Sequence, residues 1–488
     1  MRLFLSLSAI LPAVVLAASI PPSFNVQNSK QQSSSSSSSF ASYPDGLPWS
    51  SNSSLISSGS AKFYPETYWE KEEGVGHFSE WSKATKKAFL DDVAQGRASE
   101  WTIVMGNEGG DLDSMTAALT WAYHLSHVTS HLPNRHKAVA LLQTPEDALD
   151  LRPENKLALS NSKMSSGHKD LLTIDELPEK PHTLGSKVGG IVIVDHPVPL
   201  SVWSGAKVLS LFDHHTDRGA APGANPRIFE TVASCTTIVA RTMLDELEAL
   251  PAPPQGPGEY HMPHELLELI LSAIAIDSDG LKKGNDQDAK TAHRLLKRSN
   301  WRNESLMDVM SRLDDAMSKA KKDLGHLGVR DLLRRDWKGD VVETYSPSTP
   351  AVHLGFASVP MSLDRQIERT IHNKTHAWFA IESAWTAEIG ADISVCLNSY
   401  KIRVEDGQEI REIVLVVRND RRINEVQADE LFSAVSSAIE ASKKLDAIPW
   451  HRSHELGHRQ MVWRHTVVDG GRKLVRPIVE DAVREWEM

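Results

Sequence analysis

The sequence predicts an α/β protein: a parallel-sheet domain followed by a smaller C-terminal α/β domain. Three observations carry that prediction. Short apolar runs alternate with segments whose apolar residues recur at three-and-four spacing, the mark of strands alternating with helices. The runs are apolar at consecutive positions, as strands covered on both faces of a parallel sheet must be. Four of the apolar segments end in acids or histidines: Asp111-Leu112-Asp113 after Trp101–Met105, Asp195 after Ile191–Val194, Asp213-His214-His215 after Val208–Phe212, and Asp277 after Ile270–Ile276. Strand tips are where an open α/β sheet collects ligands.

The elements follow in order. Arg2, the apolar stretch Leu3–Leu16 and Val15-Leu16-Ala17 give a secretory signal over residues 1–18, too short to span a bilayer. Residues 19–78 are Ser-rich and lack the apolar content to fold, so they read as a linker. Residues 79–305 hold the parallel-sheet domain, with strands at Trp101–Met105, Ala138–Leu142, Ile191–Val194 and Val208–Phe212. Its helices are expected at Ser114–Val128, with Ser114 as N-cap, at Thr236–Leu250 and at Glu265–Ile276. Pro251–Gly258 is a surface loop. Charged helical sequence makes 306–340 a linker, and 341–488 reads as the second domain, with strand-like runs at Val341-Val342, Val352–Phe356, His376–Ile381, Ile393–Leu397 and Ile413–Val417.

Composition bounds the function. The 488 residues suffice for two or three domains, and the formal charge of -11 argues against a broad nucleic-acid face. An anionic substrate remains compatible, because acids loaded with metal become locally positive. Cys235 and Cys396 are the only cysteines, so one bridge is the most the chain can form. Asn52, Asn303 and Asn373 begin glycosylation sequons. If the signal acts, the compartment is the medium, cell wall or vacuole; otherwise it is the cytoplasm.

In Gly106–Ser114, glycines turn the chain sharply, so that Asp111 and Asp113 can face one cavity. Asp195 can bridge two cations, and His214 and Asp277 can complete the ligand set of the second cation. Oxygen-rich sites with one imidazole suit Mg²⁺, Mn²⁺ or Co²⁺. Two such ions about 3.5–4 Å apart serve in-line displacement at phosphorus. His215 is placed to touch a phosphate oxygen or protonate a leaving group, and Asp213 to orient its neighbours. His196 reads equally as a ligand or as a supporting residue. Any one of these clusters alone would be an ordinary cap or turn; their joint occurrence after four apolar runs is what points to metal.

The four motifs, in this order and spacing, resemble the DHH phosphoesterase superfamily, in the branch that holds manganese-type inorganic pyrophosphatases, exopolyphosphatases and prune-type proteins. Ala233-Ser234-Cys235-Thr236-Thr237 resembles the small-residue turn after the third motif. Leu333–Lys338 is similar to the start of the family's DHHA2-type domain, and Gly471–Pro477 to its terminal Ser-Arg-Lys segment, with Gly471 in place of Ser. The resemblance implies Asn107, Asp111, Asp113, Asp195, His214 and Asp277 as ligands of two divalent ions. It implies Lys338, Arg472 and Lys473 as phosphate contacts. Family pyrophosphatases open the first motif with His, whereas Asn107 is shared with exopolyphosphatases and prune-type proteins and moves the preference toward Mg²⁺ or Co²⁺. Prune-type proteins carry Arg at the position of His215.

The resemblance therefore implies an exopolyphosphatase acting on inorganic polyphosphate. A pyrophosphatase or short-chain nucleotide phosphatase, a single-strand nuclease and a catalytically weak prune-like interaction protein are the alternatives. Gly470-Gly471-Arg472, where nuclease relatives carry Gly-Gly-His, argues against the nuclease.

Overall fold

The computed structural model describes residues 77–128, 137–164, 169–249, 262–401, 409–419, 422–468 and 470–487. All of them fall in one compact unit, Lys62–Met488. The signal segment, nearly all of the Ser-rich stretch, Asn52 and Pro251–Gly258 lie outside the described residues.

The first sheet is parallel throughout: β1 (Trp101–Met105), β2 (Lys137–Leu142), β3 (Leu172–Thr173), β4 (Gly190–Val194), β5 (Val208–Asp213) and β6 (Arg227–Phe229) stand in the order β3-β2-β1-β4-β5-β6. Alternate residues of each strand enter opposite cores, which is why the runs are apolar at consecutive positions, with Thr102 and Ser210 as buried polar exceptions. Val104, Ala140, Val192, Val194 and Phe212 face one core, with the helices Leu112–Val128, Cys235–Ala249 and His264–Asp277. Ile103, Met105, Leu141, Ile191, Ile193 and Leu211 face the other, covered by the helix His77–Ala94 through Phe89 and Val93. Each such aliphatic side chain taken from water contributes roughly 1.5–3 kcal/mol.

The second sheet is mixed. It comprises β7 (Trp337–Glu343), β8 (Ala351–Val359), β9 (Ile393–Lys401), β10 (Glu409–Val417), β11 (Ile448–Pro449) and β12 (Gln460–His465), in the order β11-β12-β10-β9-β8-β7. Only the β8–β9 pair is parallel. His376–Ile381, expected as a strand, lies inside the helix Thr375–Ile389. Its buried positions include Trp378, Phe379, Glu382, Trp385 and Thr386, a helical and not a two-residue period.

Segment 306–340 is not a free tether. The helix Leu306–Lys321 packs Val309, Met310, Leu313 and Met317 into the first sheet's core. The helix Val329–Arg335 packs Leu332 and Leu333 into a core that holds Val359 and Cys396 together with Ala148 and Leu151. Arg335 donates to Leu151 O at 3.0 Å and to Glu154 Oε1 at 2.8 Å, both inside the protein. Cys235 and Cys396 are both free thiols in separate cores, so the one bridge the composition allowed is absent. No helix among the described residues is long and apolar enough to cross a membrane.

Candidate metal and phosphate site

The strand order reverses direction between β1 and β4, and a crevice opens there at the carboxyl ends of the strands. The first three sequence motifs leave from β1, β4 and β5, three adjacent strands. Gly106 starts the first turn because a Cβ there would stand 2.6 Å from Cβ of Ser114. Gly110, at φ +53°, adopts a left-handed conformation, and a side chain on it would collide with Thr144.

The helix after this turn begins at Leu112, two residues before the expected Ser114. Asp111 Oδ1 accepts from the backbone N of Ser114 at 3.0 Å and so takes the capping role assigned to Ser114. Ser114 instead donates its hydroxyl to Asp195 Oδ2 at 2.5 Å and accepts from the backbone N of Asn107 at 3.0 Å. Asn107 Nδ2 donates to the same Asp195 Oδ2 at 2.9 Å, while its Oδ1 accepts from Gly109 N at 2.9 Å. Asp195 is thus aimed through one oxygen, leaving Oδ1 for the cavity. It holds φ +60°, a conformation that costs a residue with a Cβ and recurs at functional turns.

Asp113 is as much an anchor as a candidate ligand. It accepts from the Ser234 hydroxyl at 2.6 Å, from Cys235 N and Thr236 N at 2.7 Å each, and from the Thr236 hydroxyl at 2.7 Å. The small-residue turn noted in the sequence is therefore the N-terminus of the helix Cys235–Ala249, tied to the first motif by one carboxylate.

His214 Nδ1 donates to the Val232 carbonyl at 3.1 Å, so in the neutral ring Nε2 is an acceptor. That atom faces Asp195 Oδ1 at 3.3 Å and Asp113 Oδ2 at 3.9 Å. Three acceptors converge with no donor among them, an arrangement that calls for a cation, either a proton or a metal. Burial alone would lower the His214 pKa, but the Asp195 hydrogen bond and the Asp113 charge raise it to about 10. Burial, then the charges of Asp113 and Asp111, push Asp195 up to about 7. Both shifts report the same excess of negative potential.

Asp213 is fully buried. Its Oδ1 accepts from His214 N at 2.8 Å, His215 N at 3.2 Å and His215 Nδ1 at 2.8 Å. This holds the ring of His215, which is 37% exposed, with Nε2 turned away from Asp213. Asp195, Asp213, His214 and His215 offer ligand atoms within 4.8 Å of one another. His196 bonds Val194 O through Nδ1 at 3.1 Å, and burial lowers it to about 4.

Asp277 ends the helix His264–Asp277, at the negative pole of the helix, where a carboxylate is unfavourable without a cation. Although Asp277 keeps an exposed edge, desolvation by the surrounding protein, then the charges of Asp113 and Asp111, push its carboxyl well above the usual range. Asp111 goes the other way: enclosure would raise it, but Arg152 and Lys338 outweigh that and hold it low.

Lys338 reaches this crevice from β7 of the second sheet. A Cβ on Gly109 would lie 3.7 Å from Lys338 Cε and 3.5 Å from Arg152 Nη2. Arg472, the first residue of the helix Arg472–Arg484, meets Asp336 Oδ1 at 3.3 Å. Lys473 is exposed, with no ion pair among the described residues. Arg152 is a site residue that sequence reasoning missed. Its only signal is an arginine before the Pro153 helix start, and nothing in that pattern tells of its place against Gly109.

The ligand set fits hard divalent cations: carboxylates with one imidazole whose free nitrogen is an acceptor. The same crevice carries basic side chains from the second sheet, apt for phosphate oxygens.

The family profile of the DHHA2 domain matches residues 315–482. A protein of Schizosaccharomyces pombe, provisionally named an exopolyphosphatase, is 26% identical over 397 residues, 80% of this chain and 92% of that one. The cattle protein named exopolyphosphatase PRUNE1 is 30% identical over 245 residues, 48% of this chain and 49% of that one, so the match spans about half of the cattle protein. Among solved structures, a provisionally assigned family II inorganic pyrophosphatase of Methanococcus jannaschii aligns with TM-score 0.48 and 17% identity, over 78% of this chain and 99% of that one.

Proposed function

Because the chain belongs to the DHH phosphoesterase superfamily, in the branch of its exopolyphosphatase-named relatives, we propose that it is a metal-dependent phosphoanhydride hydrolase that releases terminal orthophosphate from linear polyphosphate. One observation carries the proposal: the acceptor triad of His214 Nε2, Asp195 Oδ1 and Asp113 Oδ2 opens into the crevice that Lys338 enters from the second sheet.

Asp111, Asp113, Asp195, His214 and Asp277 would hold two divalent ions, with Asn107 orienting Asp195 through its amide. Bound there, such ions neutralise phosphate oxygens and make a water nucleophilic at neutral pH. The chain's own residues do the rest. Lys338 and Arg472 draw the anionic chain over the Asn107–Asp111 turn. His215, with Nδ1 fixed on Asp213, turns Nε2 outward, where an imidazolium can donate to the departing phosphate and be stabilised by the Asp213 charge.

Phosphate release from long polyphosphate, tripolyphosphate and pyrophosphate, each with Mg²⁺, Mn²⁺ and Co²⁺, tests the proposal. Faster turnover of polyphosphate or tripolyphosphate than of pyrophosphate is expected. A preference for pyrophosphate over every longer chain would overturn it.

A further inference from the structure

We propose that Arg152 is a substrate-positioning residue: with Lys338 and Arg472 it takes a phosphate group over Gly109, and Asp336 is the carboxylate which that phosphate displaces from between the two guanidinium groups. The inference deepens the phosphoanhydride reading above and rests on it.

Arg152 is buried, and its Nε donates to the Gly109 carbonyl at 2.8 Å, which fixes the plane of the guanidinium against the first motif. Its Nη2 is enclosed and makes no hydrogen bond. The nearest carboxylate oxygen to Nη2 is Asp336 Oδ1 at 3.6 Å, and Nη1 lies 3.6 Å from Glu154 Oε1. An enclosed guanidinium N–H without an acceptor is costly, and an incoming phosphate oxygen would relieve that cost.

Asp336 is shared. Arg472 meets its side chain at 3.3 and 3.4 Å and its carbonyl at 3.3 Å. Settled pairs nearby are much tighter: Arg335 meets Glu154 at 2.8 Å, and Arg334 meets Asp147 at 2.7 and 2.8 Å. Charge-assisted bonds close to about 2.7–2.9 Å when geometry allows. One carboxylate stretched between two arginines satisfies neither. A phosphate group, with its spread of terminal oxygens, can serve both forks and Lys338 at once. Opposite Arg152 stands Gly109, where any side chain would enter the space between Arg152 Nη2 and Lys338 Cε.

Calorimetric titration with inorganic tripolyphosphate in EDTA, where no turnover occurs, tests this on the full chain. Arg152→Gln should weaken binding about tenfold or more, as loss of a charged hydrogen bond does. Arg152→Lys should recover only part of it, because an ammonium cannot hold Gly109 and the ligand together. Asp336→Asn should tighten binding about threefold or more, since it removes the competing carboxylate. Melting curves accompany each titration. If Arg152→Gln does not fold, Arg152→Lys and Asp336→Asn decide. A purely structural bridge would lower the melting temperature of the variants and leave tripolyphosphate affinity unchanged, which overturns the inference alone. Absence of wild-type binding in EDTA also overturns the inference, whereas absence of phosphate release from tripolyphosphate with each of Mg²⁺, Mn²⁺ and Co²⁺ overturns the phosphoanhydride reading with it.

Discussion

His214 Nε2 lies 3.3 Å from Asp195 Oδ1 while its Nδ1 is committed to the Val232 carbonyl. The main chain has chosen the tautomer, and the acceptor pair that results needs a cation. His214→Ala and Asp195→Asn should each reduce metal-dependent phosphate release by about a hundredfold or more and weaken Mn²⁺ binding in calorimetry. Full activity in both variants would remove the metal assignment.

Asp113 and Asp195 should separate in stability. Asp113 accepts four hydrogen bonds, three of them at the start of the helix Cys235–Ala249, from Cys235 N, Thr236 N and the Thr236 hydroxyl. Asp113→Ala should cost about 1–3 kcal/mol in urea unfolding. Asp195→Asn removes a carboxyl that its surroundings disfavour as an anion, and Asn tolerates the φ of +60°. It should leave stability unchanged or raised at pH 8. Equal losses in the two variants would contradict this division.

Stability should respond to acid through Asp92, which accepts from Lys137 Nζ at 2.7 Å and Trp101 Nε1 at 2.9 Å. The Lys137 and Trp101 hydrogen bonds lower its pKa from 3.8 to about 2. The folded-state pKa is depressed, so the contribution is complete above 3.8 and is lost as pH falls toward 2. The stability gap between wild type and Asp92→Asn should therefore be constant from pH 5 to 7 and shrink below about pH 4. A gap that widened on acidification would refute the linkage.

Arg335 and Glu154 form a buried pair between the two sheets, at 2.8 Å. Breaking it by Arg335→Ala or Glu154→Ala alone should cost about 3–5 kcal/mol in chemical denaturation. The double replacement Arg335→Met with Glu154→Leu should regain most of that, because apolar packing of similar volume stands in for a desolvated pair.

Gly355 of β8 sits under the ring of Trp337, which an added methyl would strike. Gly355→Ala should cost about 1–3 kcal/mol and raise KM for tripolyphosphate, because Trp337 precedes Lys338 on β7. Unchanged KM together with unchanged stability would show that the strand absorbs the methyl.

The first sheet was legible because both of its faces are buried. Runs such as Ile191–Val194 carry no polar interruption, and acids at their ends stand out by contrast. The short strands Leu172–Thr173 and Arg227–Phe229 were not, since two or three residues set no period. His376–Ile381 misled because Trp378 and Phe379 are adjacent apolar residues, and only the wider spacing to Trp385 reveals a helix. At the site, metal-competent residues announced themselves by type. Ser114 as a hydroxyl donor to Asp195, the capping by Asp113 and the whole of Arg152 did not. Those roles depend on partners 81, 122 and 43 residues away.

The division of the site between two sheets carries a consequence for how such an enzyme diversifies. Acceptors for cations come from β1, β4, β5 and the end of the His264–Asp277 helix, whereas Lys338 and Arg472 come from β7 and the Arg472–Arg484 helix. On the proposed reading, bond cleavage and substrate length are encoded on separate stretches of chain. Substitutions in the second sheet would then lengthen or shorten the preferred anion without disturbing the hydrolytic machinery, and a designer seeking a new phosphate substrate would begin there.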